Sequence, residues 1–153
     1  MNELALFAGA GGGLLASKWL EGFRVVCYVE RDPYCVTIIK ARIQDKLLDD
    51  APIWDDVQTF DGKPWYGVVD RITAGFPCQP FSVAGKRKGE KDDRNLWPAT
   101  IRIINEVRPQ WCLLENVRGL LSSGYVQVIL KNLSQSGYDA RAFKLLIGNF
   151  FEP

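Results

Sequence analysis

The amino-acid sequence predicts an α/β fold with a doubly wound, mostly parallel sheet, and three observations carry that expectation. Short runs rich in β-branched and aromatic residues alternate with longer helical stretches, which is the pattern of strand–helix–strand units. The first run passes directly into a glycine cluster and then a helical stretch, an arrangement that builds ligand sites at the carboxyl ends of parallel strands. At 153 residues, 47% hydrophobic and 24% charged, the chain has the size and apolar content of one domain with a real core.

Each element can be read in turn. A first strand is expected over residues 4–7, running into Ala8-Gly9-Ala10-Gly11-Gly12-Gly13, with a helix over 14–20. The run 24–29 is a second strand ending at Glu30. Pro33 suits the first turn of a helix reaching about residue 43, because proline lacks only an N–H that would be unpaired there. A short third strand is expected to end near Asp56 and Val57, and a fourth to cover 67–73. A long loop over 75–95 follows, then a helix over 96–107 with Pro98 near its start. Residues 111–114 read as a buried strand leading into Glu115-Asn116-Val117, then a helix over 125–134 and a last strand over 140–147.

Composition removes whole classes of chemistry. There is no histidine, so Ser-His-Asp and Cys-His catalysis, zinc deaminase sites and paired-histidine zinc sites are excluded. The cysteines Cys27, Cys35, Cys78 and Cys112 form no Cys-x-x-Cys pair, and no metal site is expected. Nineteen basic against eighteen acidic residues leave a net charge of +1, well short of the basic excess of a strong polyanion binder. No apolar run approaches the ~18 residues of a membrane span. The start Met1-Asn2-Glu3-Leu4 has no basic n-region, so no secretory signal is expected.

Four groups of residues point to chemistry. Glycines in the first turn let a ligand approach the backbone, and the helix that follows offers free N–H groups. Glu30 lies about 20 residues on, where a carboxylate accepts hydrogen bonds from ribose hydroxyls. A dinucleotide fingerprint would place its third glycine at position 14, where Leu14 stands, so nothing demands a pyrophosphate. Asp56, at a strand end, can reach a ligand's exocyclic amine, although such an Asp is also a common turn cap and Asp55 is equally available. Cys78 sits between Pro77 and Pro80 in a loop that also holds Lys86, Arg87, Lys88 and Lys91; nearby positive charge is what a nucleophilic thiolate needs. The other three cysteines lie in apolar runs, where the thiol is an inert small hydrophobe. Glu115 leaves a hydrophobic strand, where it is either a solvated strand-end acid or a partly desolvated one able to donate a proton near neutral pH.

Taken in order, these pieces resemble the DNA cytosine-5 methyltransferases. Phe7-Ala8-Gly9-Ala10-Gly11-Gly12 is similar to that family's S-adenosylmethionine loop. Glu30 is similar to its ribose acid, Asp56-Val57 to the pair at the adenine amine, Pro77-Cys78-Gln79 to the nucleophile motif, and Glu115-Asn116-Val117 to the proton-donor motif. The basic loop with Ser82, and Arg94 to Leu96, resembles the segment that closes over DNA.

The resemblance implies a Rossmann-like methyltransferase fold and a methyl transfer from S-adenosylmethionine to carbon 5 of cytosine through a covalent Cys78 adduct. It places Cys78, Gln79, Glu115 and Asn116 in catalysis. Phe7, Gly9, Gly11, Gly12, Glu30, Asp56, Val57, Pro77 and Leu96 would meet the cofactor, with S-adenosylhomocysteine as product. Ser82, Lys86, Arg87, Lys88 and Arg94 would meet DNA with a flipped-out cytosine.

Two departures stand beside it. Arg31 follows Glu30 where the family commonly has an aromatic residue. The chain also stops where the family continues into an Arg-rich motif, a target-recognition domain and a segment that returns to the cofactor pocket. The expectation is therefore a single cofactor-binding and catalytic domain over 1–153, poorly active alone, with a second chain carrying target recognition. It would work in the cytoplasm, in a bacterial or phage restriction-modification setting, with no membrane partner. Readings with the same or a related fold are a tRNA cytosine-5 methyltransferase, a non-catalytic fragment acting through protein contacts and, most distantly, a nicotinamide oxidoreductase.

Overall fold

The computed structural model describes residues 1–77, 95–122 and 124–142. Its centre is a five-stranded sheet in the order β3-β2-β1-β4-β5 with every pairing parallel. The strands are β1 (Asn2–Leu6), β2 (Arg24–Val29), β3 (Ile53–Trp54), β4 (Arg71–Ala74) and β5 (Trp111–Leu114). The helices are α1 (Gly12–Glu21), α2 (Pro33–Gln44), α3 (Trp97–Val107), α4 (Arg118–Ser122) and α5 (Tyr125–Gln135). Because parallel strands need crossovers, every strand ends at the same edge of the sheet.

Side chains alternate across the sheet and build two cores. Leu4, Leu6, Cys27, Val29, Ile72 and Ala74 face one way, against Trp97, Ile103, Ile104 and Val107 of α3 and Ile129 and Leu133 of α5. Ala5, Val25 and Tyr28 face the other way, against Leu14 of α1, Ile39 of α2 and Leu48. Helices thus lie on both faces, as in a doubly wound sheet. The expected burial of 111–114 fails on the second face, where Trp111 and Leu113 of the edge strand β5 are exposed. On this second face Glu3, fully buried, accepts from Arg71 Nη2 at 2.7 Å and from Thr73 Oγ1 at 2.7 Å. Arg71 also pairs with Glu21 and lies 3.4 Å above the Phe23 ring, while its buried Nε has no hydrogen-bond partner.

Several boundaries differ from expectation. The fourth strand begins at Arg71, because the N–H groups of Val68 and Val69 bond back to the carbonyl of Trp65 after a 3₁₀ turn, Lys63–Trp65. The third strand is only Ile53–Trp54, so Asp56 lies in the following turn rather than at the strand end. The short helix α4 was not expected. Residues 140–142 carry no regular structure, and 143–147 of the expected last strand lie outside the described residues. Among the described residues, no helix is long and apolar enough to cross a membrane.

Candidate functional site

The residues named from the sequence follow five different strands, and the parallel sheet brings those five exits to one edge. Phe7 to Gly11 follow β1, Glu30 follows β2, Asp56 and Val57 follow β3, Gly75 to Pro77 follow β4, and Glu115 and Asn116 follow β5. Chain order reverses between β1 and β4, and open α/β sheets bind ligands at such switch points.

The glycine turn is a compact backbone structure. Phe7 and Gly9 have φ of 55° and 54°, and Gly11 has φ of 78°. The Ala8 N–H donates to Val29 O at 3.2 Å, and the Gly11 N–H to Ala8 O at 2.9 Å. Gly11 caps α1 without a side-chain bond, so the cap residue itself leaves the first-turn amides of that helix unpaired. A Cβ at Gly9, Gly12 or Gly13 would meet nothing within 4 Å, whereas one at Gly11 would lie 2.8 Å from Leu48 Cδ1. Gly11 is therefore favoured first by its left-handed φ and second by the crowding against the Leu48 methyl, while Gly9, Gly12 and Gly13 leave their own side open. Arg42 supports the turn as well, donating from Nη1 to Ala10 O at 2.5 Å. Sequence reading missed Arg42, because a basic residue in the last turn of a helix is ordinarily solvated.

Glu30 is tied to this turn. Its Oε2 accepts from the Gly9 N–H and its Oε1 from the Asp32 N–H, each at 2.7 Å. A carboxylate has about four acceptor positions, so capacity for ligand hydroxyls remains. Asp32 then caps α2 by accepting from Tyr34 N at 2.8 Å, and Arg31 is exposed beside it.

Asp56 performs the turn-capping role open to it from sequence. Its Oδ1 accepts from Gln58 N at 2.8 Å, and its carbonyl from Thr59 N and Phe60 N at 3.1 Å. Val57 is buried in the core beneath.

On the other side of the switch point, Phe76 packs against Trp97 with ring centroids 5.4 Å apart, and Pro77 is half-buried. The Glu115 N–H donates to Ala74 O at 2.9 Å, and Asn116 Nδ2 donates to Phe76 O at 3.0 Å. The Glu115 side chain is exposed, which matches the solvated one of its two readings from sequence. Leu96, half-buried, precedes α3 and accepts from Thr100. Cys78, Gln79, Ser82, Lys86, Arg87, Lys88 and Arg94 lie outside the described residues.

Of the remaining cysteines, Cys27 is buried, and Cys35 and Cys112 are half-buried. Burial pushes the Cys27 thiol up to about 11 and the Cys112 thiol up to about 12, and Cys35 is also raised, chiefly by desolvation. All three are free. Among the described residues, no group of three acidic or cysteine side chains could hold a metal. A cleft of about 720 Å³ between α3 and α5, lined in part by Trp97, Ile101, Tyr125 and Asn132, takes in Asn95 of the 94–96 stretch but none of the expected catalytic or cofactor residues.

This sheet, wound on both faces with a glycine turn after its central strand, is the Rossmann-like fold of S-adenosylmethionine-dependent methyltransferases. A precorrin-6y C5,15-methyltransferase from Geobacter metallireducens shares it at a TM-score of 0.57 and 13% identity, over 90% of this chain and 63% of that one. A solved triple mutant of Spodoptera frugiperda DNMT2 is nearer, at a TM-score of 0.67 and 25% identity over 88% of this chain and 41% of its own. The family model for C-5 cytosine-specific DNA methylases matches residues 1–150, and the chain belongs to that family. Type II methyltransferase M.NgoMIV of Neisseria gonorrhoeae is 36% identical over 90% of this chain, and M.BsuFI of Bacillus subtilis 47% identical over 90%. The chain spans 43% and 33% of the lengths of these two relatives.

Proposed function

We propose that this chain is the cofactor-binding and catalytic portion, one domain over 1–153, of an enzyme that methylates carbon 5 of cytosine in DNA. The observation that carries the reading is the convergence of the glycine turn, Glu30, Asp56-Val57, Pro77 and Glu115-Asn116 at one edge of the sheet, in the family's order.

S-adenosylmethionine fits the residues present. Gly9, Gly12 and Gly13 are open on the side where a backbone-hugging ligand would pass. Glu30 is already oriented by two backbone N–H groups, which suits it to accept from ribose hydroxyls. Phe7, Gly9, Gly11, Gly12 and Glu30 would hold one end of the cofactor and Asp56, Val57, Pro77 and Leu96 the other. When bound, the cofactor supplies an electrophilic methyl group and leaves as S-adenosylhomocysteine.

The chain's own residues do the rest. Carbon 5 of cytosine is a poor nucleophile until the Cys78 thiolate adds to carbon 6, which is covalent activation of the substrate. A proton or hydrogen bond from Glu115 at nitrogen 3 relieves the negative charge that this addition creates. Loss of the carbon 5 proton later expels Cys78. Gln79 follows Cys78 and Asn116 follows Glu115 in sequence, and the Asn116 amide holds the carbonyl of Phe76, two residues before Cys78. The base must first leave the helix stack, since the thiolate cannot reach it inside a duplex. Ser82, Lys86, Arg87, Lys88 and Arg94 would meet the DNA around it.

A net charge of +1 offers little general attraction to phosphates. We therefore assign groove reading to a target-recognition domain outside residues 1–153, supplied in the test below by a second polypeptide, the assembly working in the cytoplasm. The test is transfer of tritiated methyl groups to duplex DNA and to tRNA, by the chain alone and with the corresponding C-terminal portion of a relative. The reading expects 5-methylcytosine in DNA from the combination and little from the chain alone. Label in tRNA only would reassign the substrate. Cofactor binding without transfer to either would make the chain non-catalytic.

A further inference from the structure

Helix α3 enters the site through more than its first residue. From its middle, Arg102 donates Nη2 to the carbonyls of Val57 at 3.1 Å and Gln58 at 3.2 Å, and Nη1 to that of Phe60 at 2.9 Å. Glu106, one turn on, accepts from Arg102 Nη1 at 2.9 and 3.0 Å through its two oxygens. The same Glu106 accepts from the Gly62 N–H at 2.9 Å, and a Cβ at Gly62 would lie 2.9 Å from its Oε2 and 3.0 Å from its Cβ. Two side chains thus engage four main-chain groups between residues 57 and 62.

A solvated i,i+4 ion pair needs no such partners. The planar guanidinium can serve several carbonyls at fixed angles, which a lysine cannot do. The helix that carries it is anchored by Thr100, Ile103, Ile104 and Val107, all fully buried, so the fork is held on a rigid element. The turn it grips begins at Asp56, whose own carbonyl and carboxylate already close the near side. Arg102 closes the far side.

We propose that Arg102, braced by Glu106, is a positioning residue that sets selectivity for the cofactor's adenine by fixing the Asp56-Val57 turn. This rests on the reading above that Asp56 and Val57 meet the adenine amine. A hypoxanthine ring carries an oxygen where adenine carries that amine, so an acceptor held at a fixed place separates the two bases, while a loosened turn does so poorly.

Calorimetric titration of the 153-residue chain with S-adenosylhomocysteine and S-inosylhomocysteine tests it, with thermal unfolding run on each variant. The wild type is expected to prefer the adenine compound by ~10-fold or more. Arg102→Met should weaken the adenine compound by ~10-fold and the inosine compound far less, so that the preference collapses. Arg102→Lys should fall between. A folded Arg102→Met that keeps the wild-type preference overturns the inference. Should that variant fail to fold, Glu106→Ala carries the test: the preference is expected to drop by at least ~3-fold, and an unchanged preference overturns the inference. Equal binding of both compounds by the wild type overturns the Asp56 reading itself, and this inference with it.

Discussion

The side-chain amide of Asn116 donates to the main-chain carbonyl of Phe76 at 3.0 Å and so ties the exit of β5 to the exit of β4. Phe76 stands two residues before Cys78, and Asn116 one after Glu115. The bond therefore joins the two segments that carry the proposed nucleophile and proton donor. Misplacement of a reacting group by ~1 Å can cost about 100-fold in rate. Asn116→Ala should slow covalent capture of 5-fluorocytosine DNA, in the chain combined with the C-terminal portion of a relative, by about that factor. S-adenosylhomocysteine affinity should change less than about 3-fold, since one hydrogen bond remote from the glycine turn is lost. Equal capture rates would remove this bond from the chemistry.

Glu30 links the glycine turn to the end of β2 through its bond from Gly9. Glu30→Ala removes both the proposed ribose acceptor and a charge-assisted bond that orders the turn. S-adenosylmethionine affinity by calorimetry should fall by at least ~10-fold. Glu30→Gln, with one acceptor oxygen left, should lie between. Unchanged affinity in Glu30→Ala would take this residue out of the site.

Neighbouring glycines should separate folding from binding. Gly11→Ala forces a side chain into φ of 78° and toward Leu48, and should cost about 1–3 kcal/mol, or roughly 3–10 °C in melting temperature. Gly12→Ala adds a Cβ that meets nothing within 4 Å at the start of a helix. Its melting temperature should stay within about 2 °C, while cofactor affinity drops because the new methyl occupies the open side. Equal melting temperatures for the two variants would contradict the backbone strain assigned to Gly11.

How much of this was legible can be judged residue by residue. The five strand exits could be placed because glycines, prolines and lone carboxylates punctuate apolar runs. The fourth strand was read too long because Val68 and Val69 look like strand residues, and only the 3₁₀ turn at Lys63–Trp65 shows that their N–H groups are already used. Glu3 looks like a solvated residue near a chain start, and its burial depends on Arg71, 68 residues away. Arg42 and Arg102 escaped notice for a similar reason. A long basic side chain on a helix carries no local sign that it will reach the carbonyls of a distant turn. Exposure of Glu115 depends on what packs over a strand exit, which its own neighbours in sequence do not encode.

The buried thiol of Cys27 and the half-buried thiol of Cys112 set an alkaline limit. Burial holds Cys27 near 11 and Cys112 near 12, above the ordinary value of 9.0 that an unfolded chain would show. Between pH 9 and about 11 the folded state then retains protons that the unfolded state loses, so stability is full below pH ~9 and falls as pH rises. Each thiol contributes at most ~1.4 kcal/mol per pH unit. Denaturant melts from pH 8 to 11 should show this decline, and Cys27→Ala should flatten it. A decline as steep in Cys27→Ala as in the wild type would mean that its thiol ionises normally.

Covalent capture at Cys78 tests the central claim most directly. Fluorine at carbon 5 cannot leave as a proton does, so a cysteine that adds to carbon 6 stays bonded to 5-fluorocytosine DNA. The wild-type chain, combined with the C-terminal portion of a relative and S-adenosylmethionine, should give a denaturation-resistant protein–DNA band. That band should vanish in Cys78→Ser and persist when Cys27, Cys35 or Cys112 is replaced by alanine. A band that survives Cys78→Ser, or a combination that methylates DNA yet forms no band, would contradict the account.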